Sequence, residues 1–160
     1  MLLLKDIHNL RATINERQRN VTSVLSERAA SNPDDDVQLL IDDTSTVCQI
    51  FIQTAAMKEM FATFPEVVML DLTYSINNCG MPLYAFLVQD GHGHGQLVGL
   101  CLLAGEDSSQ MRVMLEMFAN ANRNIAQTHW QVPKQKGKKK VQKCLQQWHQ
   151  RELCRLWPYA

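Results

Sequence analysis

No run of about eighteen consecutive apolar residues occurs in this 160-residue chain, so no membrane-crossing helix and no membrane partner is expected. The opening Met1-Leu2-Leu3-Leu4 is too short for a secretory segment and runs at once into Lys5 and Asp6. The five cysteines, Cys48, Cys79, Cys101, Cys144 and Cys154, are odd in number and include no CxC or CxxC pair. That spacing offers no tight zinc knuckle, and its simplest reading is free thiols in a reducing compartment, cytosol or nucleus. Acidic residues are almost missing from one part of the chain. Residues 128–160 hold only Glu152 against eight Lys/Arg, whereas residues 1–127 hold fifteen Asp/Glu against eight Lys/Arg. The overall charge of zero therefore conceals −7 on the body and +7 on the tail, an asymmetry that bears on partners, not on fold.

The apolar fraction of 46% is globular, and the length suits one domain with a real core. Lys5 to about Arg19 reads as a polar helix with Ile7, Leu10 and Ile14 at helical spacing, and residues 22–30 extend it or form a second one. Ser31-Asn32-Pro33 and three aspartates make a loop that closes this leader. Val37–Ile41 and Thr46–Ile52 read as a hairpin, and Ala55 to Phe64 as a short helix ended by Pro65. Glu66 to Tyr74 is an almost unbroken apolar strand, of the type buried on both faces. Leu83–Val88 and Gln96–Leu103 are two further strands around the Asp90-Gly91-His92-Gly93-His94-Gly95 turn. Ser108 is placed to cap a helix carrying Met111, Leu115 and Phe118. After Thr128 the composition changes. Gln131–Lys143 holds six lysines and too little apolar surface to order itself. Cys144–Trp157 regains helical spacing through Leu145, Trp148 and Leu156.

Three strands feeding a helix, with Asp71 near the end of the first strand, is how an RNase H-like fold begins. Residues 37–128 resemble the core of Mutator-like element (MULE) transposases, most of all the domesticated copies in zinc finger SWIM domain-containing proteins. The resemblance is carried by Phe64-Pro65, Asp71-Leu72-Thr73-Tyr74, Asn77-Asn78, Gly80-Met81-Pro82-Leu83, Asp90-Gly91, Glu106 and Met114-Leu115. Leu4–Leu10 also resembles the leader that precedes such cores. It implies an α/β fold with a partial RNase H-like (DDE transposase) core at 37–128, a helical leader at 1–36 and a disordered basic tail with a short terminal helix at 129–160.

In such transposases three acidic residues hold two divalent ions for phosphodiester chemistry. Asp71 matches the first. The second belongs at the end of a fourth strand, where this chain has Trp130-Gln131-Val132-Pro133-Lys134-Gln135-Lys136 and no carboxylate. The third lies beyond residue 160, and the family's zinc module is missing as well. The resemblance therefore implies a vestigial Asp71, no catalysis, no cofactor and no resident metal, in a fragment or alternatively ended form whose sequence is unrelated from His129 onward. The expected role is binding of protein or nucleic acid in the nucleus, with the cytoplasm as the alternative location. An active DDE nuclease and an unstable product without its own role are the competing readings. The last rests on the sheet edge left bare where strand four should pair.

Other candidates weigh less. A single strand-end carboxylate is a feeble magnesium site, because hard ions want several oxygens. His92 and His94 share a face on an extended chain, but two ligands do not make a zinc site. Cys144, His149 and Cys154, five apart, drift around a helix. The strongest signal outside the core is Lys134, Lys136, Lys138, Lys139, Lys140 and Lys143, which suits nuclear import and weak, sequence-independent contact with nucleic acid or, equally, a solvated run. Its lysines remove no apolar surface from water, so the body is expected not to depend on residues from Trp130 onward. Replacing Lys138, Lys139 and Lys140 by Ala is expected to weaken salt-sensitive DNA or RNA binding and to move a fluorescent fusion toward the cytoplasm. Filter binding across a salt series and imaging check both outcomes.

Overall fold

The computed structural model describes residues 18–44, 46–74, 80–122, 125, 128–131 and 147. Its first helix, α1, spans Gln18–Ser31 and stops where Asn32-Pro33 follows. Strands β1 (Asp36–Ile41) and β2 (Val47–Gln53) form the expected antiparallel hairpin. Its turn is tied by Asp42, whose carboxylate accepts the backbone N–H of Thr44 and of Thr46, each at 2.9 Å. Helix α2 (Ala55–Thr63) begins at Thr54, whose hydroxyl accepts from the Met57 N–H, and Asp35 accepts the Ala55 N–H at 2.9 Å.

Strand β3 (Val67–Thr73) pairs antiparallel with β4 (Leu83–Gln89), which pairs antiparallel with β5 (Gly95–Leu103). The β4–β5 turn needs Gly93 at φ +84°, a conformation that side-chain-bearing residues rarely adopt. Helix α3 (Ser108–Ala121) is capped by Asp107, which accepts the N–H groups of Ser109 and Gln110. Ser108 is thus the first helical residue and not the cap, because the carboxylate one position earlier offers the better acceptor. The chain then returns as β6 (His129–Gln131), which runs parallel to β3 with Val68 opposite Trp130. The sheet order is β1-β2-β5-β4-β3-β6. Three antiparallel strands, a crossover helix and a parallel fourth strand beside the first form the RNase H-like pattern, with the β1–β2 hairpin added at the far side.

Successive residues of a strand point to opposite faces, and the two faces differ. On one, Val68, Leu70, Phe86, Val88 and Cys101 pack beneath α2 and α3 with Phe51, Phe61, Met114 and Phe118. On the other, Leu25 of α1 covers Ile50, Ile52, Met81 and Leu102. Val67 and Met69 on that second face are only half-buried, so β3 is not buried on both sides as its apolar run implies. Glutamines enter the helical face as well. Gln53 on β2 donates to the Val98 carbonyl at 2.8 Å and exchanges hydrogen bonds with Asn122, which also donates to the Phe118 carbonyl. This fully paired amide bridge joins β2 to the end of α3 without leaving its amide groups unsatisfied.

Two expectations about the end of the core are corrected. The edge of β3 is not bare, since β6 pairs with it and the His129 N–H also reaches the Glu66 carbonyl at 2.7 Å. Nor is the body independent of everything after Thr128, because the Trp130 ring packs edge-on against Phe86 and Phe118, at 6.3 and 5.8 Å between centroids. The reason is parity. Trp130 faces the helical side while His129 is exposed, so a segment that looks polar in composition places its one large apolar residue in the core. Trp130→Ala should therefore lower the unfolding free energy by about 2–4 kcal/mol, toward the low end of the range for a buried tryptophan because the ring is only partly buried, whereas His129→Ala should change it by less than about 0.5 kcal/mol. Denaturant titration of both variants distinguishes them.

Candidate functional site

Asp71 lies on β3 opposite Ala85, half-buried, on the face away from α2 and α3. Its place follows from the alternation of the strand: Leu70, the residue before it, is buried under the helices. Among the described residues no group of three or more His, Cys, Asp or Glu is placed to hold a metal ion.

The other residues of the Asp-Leu-Thr-Tyr segment and its surroundings meet in a different cluster. Tyr74, just past the end of β3, donates its hydroxyl to Glu106 at 2.8 Å. Tyr84 of β4 donates to the same carboxylate oxygen at 3.3 Å. Glu106 stands in the loop between β5 and α3, so a single acid ties the ends of three elements together. Tyr74 is exposed and Tyr84 is fully buried. Burial first, and then the neighbouring Glu106 charge, push the Tyr84 hydroxyl well above the ordinary tyrosine range. The Tyr74 hydroxyl is raised mainly by its hydrogen bond to Glu106. Gly80, at φ +69°, turns the chain into β4. Met81 is then buried, and the Pro82 carbonyl accepts the Leu103 N–H at 3.2 Å. The segments that carry the family resemblance are thus largely explained by architecture. Asn77 and Asn78 lie outside the described residues.

Asp90 is a turn residue. Its carboxylate accepts the N–H groups of His92 and His94 and the Gln96 amide, and the Gln96 bond is the main cause of its lowered pKa. His92 and His94 do share a side, with rings stacked at 6.3 Å, and both are exposed. The thiols of Cys48 and Cys101 are free, and burial pushes both up, so neither is poised as a nucleophile. Lys134, Lys136, Lys138, Lys139, Lys140 and Lys143 lie outside the described residues, as do Cys79, Cys144, His149 and Cys154, residues 1–17 of the leader, and all but Gln147 of the expected terminal helix. Sequence reasoning missed the tyrosine–glutamate cluster. Its only trace is that Tyr74 and Tyr84 flank the Gly-Met-Pro bend, with Glu106 just before a helix.

A family model described as "Zinc finger SWIM domain-containing protein 1/3, RNaseH-like domain" matches residues 26–143. The match continues past β6 into the lysine-rich run, which overturns the expectation that unrelated sequence begins at His129. No curated protein and no solved structure matches the chain.

The cluster makes two expectations measurable. Glu106→Ala should destabilise the fold by about 1–3 kcal/mol because it leaves the buried Tyr84 hydroxyl unpaired, and Tyr74→Phe should cost less than about 1 kcal/mol. The raised pKa of Tyr84 sets the sign of the pH dependence. Above about pH 10 the unfolded chain releases this proton while the folded chain keeps it, so stability falls as pH rises. Tyr84→Phe should show a shallower fall, read from denaturant unfolding at a series of alkaline pH values.

Proposed function

Because the chain belongs to the RNase H-like domain family of zinc finger SWIM domain-containing proteins 1 and 3, we propose that it is a transposase-derived domain that has given up phosphodiester chemistry and works by binding. One observation carries this reading. The strand parallel to β3 pairs His129, Trp130 and Gln131 with Val67, Val68 and Met69, ends two positions short of Asp71 and holds no carboxylate. The sequence continues with Val132, Pro133 and Lys134, and the whole stretch from residue 128 to 160 offers only Glu152 as a carboxylate. Two-metal cleavage needs carboxylates from adjoining elements to hold both ions and to balance their charge. One carboxylate, with none supplied by His129–Gln131, does neither. Glu106 is bound to two tyrosines in the structural cluster described above.

The lysine run supports the binding side of the reading. Six lysines between Lys134 and Lys143 follow an acidic body, which favours a polyanion at the tail and repels it elsewhere. The same run fits a nuclear-import signal, and we place the protein in the nucleus on that ground. A descent from MULE-type transposases accords with the Asp71–Tyr74 segment standing at the end of the first meander strand.

Purified protein incubated with single- and double-stranded DNA in Mg²⁺ or Mn²⁺ should leave the DNA intact. Cleavage that disappears in Asp71→Asn, with the variant still folded by circular dichroism, overturns the proposal.

A further inference from the structure

The sheet begins at β1, and among the described residues no strand pairs with its outer edge. Leu40 and Ile41, at the end of this strand, are 37% and 47% exposed. They are two of the three large hydrophobic side chains exposed among the described residues, the third being Tyr74. An edge strand presents backbone N–H and C=O groups that another strand can satisfy, and proteins usually blunt such edges with lysine, proline or a bulge. β1 carries no lysine or proline, and its one irregularity against β2 falls at its far end, between Leu40 and Ile41.

The two ends of this edge are acidic. Asp34, Asp35 and Asp36 lead into the strand, and Asp42 and Asp43 follow it. A second copy pairing antiparallel through β1 would set the leading aspartates of each chain against the trailing aspartates of the other. Like charges placed opposite one another oppose that arrangement. A strand of the opposite pattern gains at both ends. Lys58, whose ammonium donates to the Asp34 carbonyl at 2.9 Å, already shows a cation seated at the leading end.

We propose that the outer edge of β1 receives an extended segment of a partner protein, β-branched and apolar at its centre and carrying Lys or Arg at both ends, which adds to the sheet as one more antiparallel strand. Backbone pairing supplies affinity, Leu40 and Ile41 supply the apolar contact, and the two aspartate groups select the charge pattern. The surface lies at the opposite edge of the sheet from β6. It uses none of the lysines of the nucleic-acid reading and can be tested apart from it.

The test uses the full chain and synthetic peptides of about ten residues, a length matched to one strand. The first has a Thr-Val-Thr-Val centre with a pair of lysines at each end. The second replaces those lysines by glutamates. The third keeps the lysines but interrupts the centre with proline, which cannot complete a ladder. The first should bind saturably by fluorescence anisotropy and slow hydrogen exchange at residues 36–41. The second and third should bind more weakly by about tenfold or more, given the cost of like charges and of lost pairing. Leu40→Lys and Ile41→Lys, both at exposed positions, should weaken the first peptide to a similar degree while the melting temperature holds. The proposal is overturned by equal binding of the lysine peptide and its proline form, by exchange slowing elsewhere than 36–41, or by no binding at millimolar peptide. A concentration-dependent dimer that Ile41→Lys abolishes overturns it too, because a second copy is then the occupant.

Discussion

Phe118 of α3 lies flat on Phe86 of β4, ring centroids 4.3 Å apart and planes within 2°. Residue 99 on β5 is glycine, and a Cβ there would lie 3.3 Å from both rings, so the stack would have to give by a few tenths of an ångström to admit one. Phe51 of β2, Phe61 of α2 and Trp130 of β6 then meet Phe118 edge-on. Edge-to-face contacts of this kind add to the area each ring removes from water. One side chain thereby brings together both core helices and most of the strands, and the crossover that delivers β6 to its place depends on where that ring sets α3. The position of Asp71 relative to its neighbours is a consequence of this packing.

Most of the framework is legible in the sequence because it rests on local patterns. The β-branched run Thr46–Ile52, the apolar run Leu83–Val88, the proline after Phe64 and the glycine-rich turn at 90–95 each act over a few residues, and the strands and turns stand where those patterns put them. What escaped depends on parity and on long-range pairing. Three residues, His129–Gln131, carry no recognisable strand signal, and only the register against Val67–Met69 makes them one. Gln49 and Gln53 look like surface residues in a strand, yet both are buried, because they share the inward face with Phe51 and find acceptors on distant elements. The Tyr74–Glu106–Tyr84 cluster joins residues separated by up to 32 positions, a contact that spacing alone does not reveal.

Apart from Asp71, the described residues that carry the family resemblance are architectural in this chain. Tyr74, Gly80, Met81, Pro82 and Glu106 fasten the end of β3 to the bend before β4 and to the loop before α3. Contacts of this kind serve the sheet whether or not the chemistry is kept. The family match across 26–143 accordingly shows the domain. A reading of what the domain does has to rest on the donors beside Asp71 and on the surfaces left open, in keeping with the rule that function lives in sites and not in folds.

The order of strands in space also carries a history of assembly. β3, β4 and β5 are neighbours in sequence and in the sheet, so their pairing closes only short loops. The outer pairings are different: β2 reaches β5 across the intervening meander, and β6 reaches β3 only after α3 has formed and turned back. Contacts between distant segments incur loop-closure entropy before they return any stabilisation, and they form late. The meander is thus the seed, and the two flanks arrive after it. On a ribosome, which delivers the chain from its N-terminus, the β1–β2 hairpin emerges before the meander but must wait for β5 before it has a sheet to join.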